Sequence, residues 1–176
     1  MSSAIVRALG ETILKVNHAG EHGAVNIYRG QRWVCRWREA VLRRELDILR
    51  AHEERHRALF AAELSRRGQR RCRSYHFCGV GGFVLGVLTG LCGRASIAAT
   101  TVAVERVVLQ HLASQVAALR GVDDAAVCVI ESILADEQQH HDQAALDANQ
   151  GQFWPRVLRP VVSAATELVI WLGMRM

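Results

Sequence analysis

Glu-x-x-His occurs twice in this chain, at Glu53–His56 and at Glu137–His140. Each copy is preceded, at a distance of 32 residues, by a lone glutamate, Glu21 or Glu105. The trio Glu21, Glu53, His56 thus recurs 84 residues later as Glu105, Glu137, His140. On a helix, residues i and i+3 share a face, so each motif offers a carboxylate and an imidazole side by side. A single Glu-x-x-His is most often a surface pair. Two copies with matched spacing are the donor set of a carboxylate-bridged two-metal centre in a four-helix bundle. In such a bundle two helices supply one Glu each and the other two supply Glu-x-x-His. The pattern assigns Glu53 and Glu137 as bridges, Glu21 and Glu105 as terminal ligands, and one His to each metal. Mixed oxygen and nitrogen donors suit iron, and manganese or zinc fit the same ligands.

Apolar periodicity supplies the helices. The first is predicted from about Glu11 to about Trp37, with Glu21 on an inner stripe beside Leu14, Ala24, Val25 and Tyr28. A carboxylate there must be paired or metal-bound, because an isolated buried charge is costly. The second is predicted from about Glu39 to Arg67, with Val41, Leu42, Leu46, Leu49, Leu59, Phe60 and Leu64 apolar and Gly68 as its stop. Antiparallel helices face each other at positions equidistant from their turn. For Glu105 and the Glu137/His140 pair, that midpoint falls at Gly121-Val122-Asp123-Asp124, a glycine stop followed by an Asp N-cap. In the first half it falls inside Arg36-Trp37-Arg38-Glu39, where no Gly or Pro marks a turn. The later helices are predicted over Ala95–Arg120, Asp123 to about Ala148 with Gly151 closing it, and about Trp154 to Met176.

Between the two halves lies Ser74–Gly93, twenty residues without a formal charge, six of them glycine. The favoured expectation is a crossover helix that packs on the bundle and turns an apolar face to a membrane leaflet. A true span ranks second and a fully buried connection third. The net charge of +5 rests on arginine, since Lys15 is the only lysine, and Arg66, Arg67, Arg70, Arg71 and Arg73 cluster just before this segment. That placement favours acidic lipid headgroups. No nucleic-acid motif and no interleaved aromatics accompany the arginines, so no nucleic acid is expected. Five cysteines, an odd number without Cys-x-x-Cys, indicate reduced thiols. The stretch Met1–Gly10 does not read as a secretory signal. His18, His22, His52 and His141 lie beside ligand positions and are read as supporting or surface residues. Asp136 is read as an acceptor behind a ligand or a solvated carboxylate. His111 and Leu112 are read as pocket lining or core, and His76 as a residue at the headgroup boundary.

Val16-Asn17-His18-Ala19-Gly20-Glu21-His22-Gly23-Ala24, followed by Ile27-Tyr28-Arg29-Gly30-Gln31, resembles the first-helix signature of the demethoxyubiquinone hydroxylase family. Thr101–Glu105 and Asp136-Glu137-Gln138-Gln139-His140-His141-Asp142 resemble its third and fourth metal-bearing helices, and the resemblance runs from about residue 11 to the end. It implies an all-α, ferritin-like four-helix bundle in one domain, 1–176, with a long apolar crossover helix and an extra C-terminal helix. It further implies a non-haem di-iron monooxygenase that hydroxylates a polyprenylated demethoxy-benzoquinone with O2 and electrons derived from NADH. The implied ligands are Glu21, Glu53, His56, Glu105, Glu137 and His140. The chain departs from relatives at His22, Arg106 and Leu112. A peripheral protein on the cytoplasmic face of the inner membrane is expected, in contact with other ubiquinone-biosynthesis proteins and compatible with an oligomer. Alternative readings are a ferritin-like iron oxidase and a non-catalytic module that binds quinone lipid.

Overall fold

The computed structural model describes residues 3–38, 40–148 and 153–176. It is all-helical among these residues: α1 Ser3–Val34, a 3-10 turn Cys35–Trp37, α2 Ala40–Arg66, α3 Tyr75–Leu91, α4 Arg94–Leu119, α5 Asp124–Ala148 and α6 Phe153–Gly173. Helices α1, α2, α4 and α5 form a ferritin-like four-helix bundle. α3 is the crossover between its halves and lies on α1, while α6 lies on α4.

Ile13, Leu14, Phe60, Leu64, Leu112, Leu119, Ile130 and Ile133 from all four bundle helices form one buried cluster at one end. Tyr28, Leu42, Leu46 and Ile97 form another at the opposite end. Glu21, Glu53, His56, Glu105, Glu137 and His140 lie between the two. α1 begins eight residues earlier than the sequence predicts. Leu9 packs on the first cluster, and a Cβ on Gly10 would meet the Asp123 carboxylate, so tertiary contact extends the helix past its apparent start. The turn after α1 sits where the spacing places it. Its Glu39, and the Gly151 expected to close α5, lie outside the described residues.

The turn chemistry holds at both predicted glycines. Gly68 at φ +66° ends α2, with the Gln69 N–H donating to the Leu64 carbonyl at 2.8 Å. Gly121 at φ +73° ends α4, and the Asp123 carboxylate accepts the Ala126 N–H at 3.2 Å as the N-cap of α5. The same Asp123 receives both arms of Arg67, which also bonds Glu63, so α2 is tied to the α4–α5 turn. Arg66 pairs with Glu63 as well. Two of the five clustered arginines are therefore consumed by intramolecular pairing, and the basic run exposed at the start of α3 is Arg70, Arg71 and Arg73.

α3 is neither a buried connection nor a span. No helix among the described residues is long and apolar enough to cross a membrane. Gly79, Gly82, Gly86 and Gly90 face α1, where a Cβ at Gly82 or Gly86 would fall onto the carbonyls of Gly23 or Ile27. The opposite stripe, Phe77, Val80, Val84, Leu88 and Leu91, is exposed, Phe77 at 81%. The glycines that weaken the helix thus let two backbones touch. α6 is likewise apolar and open, burying Val162 and Gly173 and exposing Val161, Leu168 and Trp171.

Candidate metal centre

The six predicted residues converge. Glu21 from α1, Glu53 and His56 from α2, Glu105 from α4, and Glu137 and His140 from α5 are each at most 6% exposed. Their donor atoms form two overlapping groups, Glu21/Glu53/His56/Glu137 and Glu53/Glu105/Glu137/His140, each within 4.8 Å. Glu53 and Glu137 belong to both. His56 Nδ1 lies 2.8 Å from Glu137 Oε1 and 3.7 Å from Glu53 Oε2. His140 Nδ1 lies 3.3 Å from Glu53 Oε1 and 3.7 Å from Glu137 Oε2. Each imidazole therefore meets its own helix's glutamate and that of the opposite half.

Short distances here do not make satisfied hydrogen bonds. Glu53 Oε1, Glu137 Oε1, His56 Nδ1 and His140 Nδ1 are buried without a properly directed partner, which is costly unless something else meets them. The donor atoms of each group lie within 4.8 Å of one another, close enough to share a cation. Burial, then the charges of Glu137 and Glu53, pushes Glu21 well above the usual carboxylate range; burial and Glu137 do the same to Glu105. Burial opposes charge on His56 and His140, yet the nearby carboxylates of Glu137 and Glu53 outweigh it and hold them up to about 10 and about 9. Glu137 is held low despite its burial by His140, His56 and Glu105. The cluster thus binds protons avidly, as a site built for cations does. Four carboxylates would balance two divalent ions, and mixed hard-oxygen and imidazole donors fit iron.

The rear of each imidazole is also engaged. His56 Nε2 donates to Asp136 Oδ2 at 3.0 Å, and Arg55 pairs with the same carboxylate. His140 Nε2 is 2.9 Å from His52 Nδ1. His18 and His22 instead point to the start of α3. The His22 ring stacks parallel on Tyr75 at 3.9 Å, and His18 tilts against Tyr75 at 4.9 Å. His141 turns outward to Asp142, and exposed His76 meets the edge of Tyr75.

A cavity of about 310 Å³ reaches the cluster from one side, between α3 and α6. Glu21, Glu53, Glu105 and Glu137 line its inner end; Ile27, Leu85, Val108 and Leu112 are among its walls; Phe77 and Val169 stand at the exposed end. His111 lines it too, paired with Glu167 of α6 at 2.8 Å. Asn17, held by Gln115 at 2.8 Å, and Thr166 add two polar groups that the sequence analysis did not single out. Asn17 falls within the first-helix signature and Thr166 within no motif; convergence from α1 and α6 brings both to the cavity.

A family model, ubiquinone biosynthesis protein COQ7, matches residues 8–173. The 3-demethoxyubiquinol 3-hydroxylase of Rhodospirillum rubrum is 35% identical over 172 residues, covering 96% of this chain and 79% of that protein. The mitochondrial NADPH-dependent 3-demethoxyubiquinone 3-hydroxylase of Dictyostelium discoideum is 33% identical, over 96% of this chain and 78% of that one. The human mitochondrial enzyme of the same name is 30% identical, with 98% and 80% covered. With its two Glu-x-x-His helices converging at the inner end of an apolar cavity, the chain belongs to the ubiquinone biosynthesis protein COQ7 family.

Proposed function

We propose that this protein is a monooxygenase that hydroxylates the ring of a polyprenylated 3-demethoxy-benzoquinol, using O2 at a two-iron centre. Glu21, Glu53, His56, Glu105, Glu137 and His140 would hold the ions, with Glu53 and Glu137 within reach of both. The whole chain, 1–176, acts as one domain. The observation that carries the reading is the apolar cavity running from these carboxylates to an exposed apolar surface on α3 and α6. About 310 Å³ suits a substituted quinone ring, at the small end of ligand pockets. The prenyl tail then lies along Phe77 and Val169 into lipid, which lowers the cost of extracting the substrate. Apolar walls exclude water from the ring, and Asn17, His111 and Thr166 offer hydrogen bonds that orient its oxygens. Iron held by these six residues would, with an external reductant, supply the electrons for O2 reduction.

The reductant is a reduced nicotinamide, NADH by the sequence resemblance; the eukaryotic relatives carry NADPH in their names. The apolar faces and Arg70, Arg71 and Arg73 support a peripheral position on the inner membrane's cytoplasmic face, where other ubiquinone-biosynthesis proteins would meet it. A ferritin-like iron oxidase would need the ligands but neither the apolar cavity nor its exposed rim. The test is turnover of a vesicle-borne demethoxyquinol by the iron-loaded protein under labelled O2. One labelled oxygen in the ring is expected. Glu53→Ala and Glu137→Ala, each removing a bridge, are expected to abolish both bound iron and turnover. Full iron loading without oxygen incorporation, but with catalytic iron oxidation, overturns the proposal.

A further inference from the structure

His52 and Asp136 immediately precede Glu53 and Glu137, so they hold equivalent positions in the two halves, 84 residues apart. Each reaches across the bundle to the other half's imidazole. Asp136 Oδ2 accepts from His56 Nε2 at 3.0 Å, and His52 Nδ1 stands 2.9 Å from His140 Nε2. In both rings Nδ1 faces the carboxylates. For Nδ1 to offer a lone pair to a cation, the group behind must accept the Nε2 hydrogen. Asp136 accepts with an anion, anchored by Arg55. His52 accepts only as an imidazole whose own hydrogen sits on Nε2, where a second cleft, lined also by Gln139 and Gln143, adjoins it.

We infer that His52 is a positioning residue for His140, and that the exchange of His52 for Asp136 between the halves makes the two metal positions chemically unequal. The inference rests on the metal reading above. An imidazole backed by a carboxylate is the stronger donor and favours the more oxidised ion. The ion at the Glu21–His56 end is therefore held more tightly and oxidised more readily. The ion at the Glu105–His140 end is held less tightly and is reduced first.

The holoprotein tests this by chelator competition and by Mössbauer spectra after loading with the Mössbauer-active isotope. Two distinct quadrupole doublets of equal area are expected in the wild type. His52→Asp, which gives both halves the same backing, is expected to bring the doublets together. His52→Ala is expected to weaken one of the two metal positions by about 10–100-fold. Asp136→Ala is expected to weaken the other. Adding His52→Ala to His140→Ala is expected to change nothing further, whereas adding it to His56→Ala does. His52→Asn, which keeps an acceptor at the same place, is expected to retain affinity and guards against simple misfolding. Two bound ions with doublets unmoved in His52→Asp, or an undiminished His52→Ala effect in the His140→Ala background, overturns the inference. Fewer than two ions in the wild type overturns the metal reading instead.

Discussion

The α1–α2 half and the α4–α5 half bring the same three side chains to the centre, while their surroundings differ. The first half turns through a 3-10 segment, Cys35–Trp37; the second uses Gly121 and the Asp123 cap. The outer helix on α1 is seated backbone to backbone through Gly82, Gly86 and Gly90, with Gln31 donating to Thr89 Oγ1 at 3.2 Å. The outer helix on α4 is held by side chains, with Ser163 donating to the Ala103 carbonyl at 3.2 Å and His111 meeting Glu167. The meeting of these six side chains constrains only the inner faces, so the outer faces are free to diverge. The cavity consequently has one closely fitted wall, α3, and one wall, α6, that buries little of itself.

The comparison breaks most visibly at Gly86. A side chain there meets the Ile27 backbone, which cannot yield as a flexible side chain would. Gly86→Leu should cost about 3 kcal/mol or more in a denaturant melt, whereas Ala164→Leu on exposed α6 should change stability by less than about 0.5 kcal/mol. Equal effects would show that α3 and α6 are seated alike.

Acid should loosen the α1–α3 seam selectively. Burial, then Arg57, pushes His18 down to about 4, and the same causes lower His22 beside Tyr75. A folded pKa below the unfolded value means the stabilisation is complete above about pH 6.5 and is lost as pH falls toward 4. Over that interval the metal-free wild type should lose on the order of 2 kcal/mol relative to metal-free His18→Gln in urea melts at fixed pH. Parallel stability curves would remove His18 from the seam's energetics.

Both outer helices should contribute to lipid contact. Phe83→Ser with Leu88→Ser on α3, and Val161→Ser with Leu168→Ser on α6, remove exposed apolar surface. Each pair should weaken vesicle flotation by about 1–2 kcal/mol. Loss in one pair alone would assign the membrane to that helix and a protein partner to the other. The smallest effect is expected at Gly81, where an added Cβ meets nothing within 4 Å. Gly81→Ala should stabilise α3 by about 0.5–1 kcal/mol, opposite in sign to the change at Gly86.

Much of this molecule was legible in its sequence. The spacing of Glu21, Glu53 and His56 against Glu105, Glu137 and His140 anticipated which residues would converge. The Gly68 and Gly121 stops lie where helix lengths required them. Asp136 was among the candidates for an acceptor behind a ligand, and it bonds His56. The start of α1 lies earlier than periodicity indicates because Leu9 packs on core residues of other helices and Gly10 lies close against Asp123. Arg66 and Arg67 belong to the basic run in the sequence, yet Glu63 and Asp123 engage them within the protein. Val41, one of the apolar positions of the second helix, is 62% exposed.

By itself the sequence determined which six side chains meet, the four-helix pairing and the turns, because periodicity, spacing and turn chemistry are carried by residues near one another along the chain. Tertiary structure alone decided that the glycines of α3 meet the α1 backbone, that Asn17 and Thr166 share a cavity with Glu105, and that His52 backs His140. Those contacts depend on which distant side chain arrives at the same point in space, and no pattern within either segment encodes that meeting.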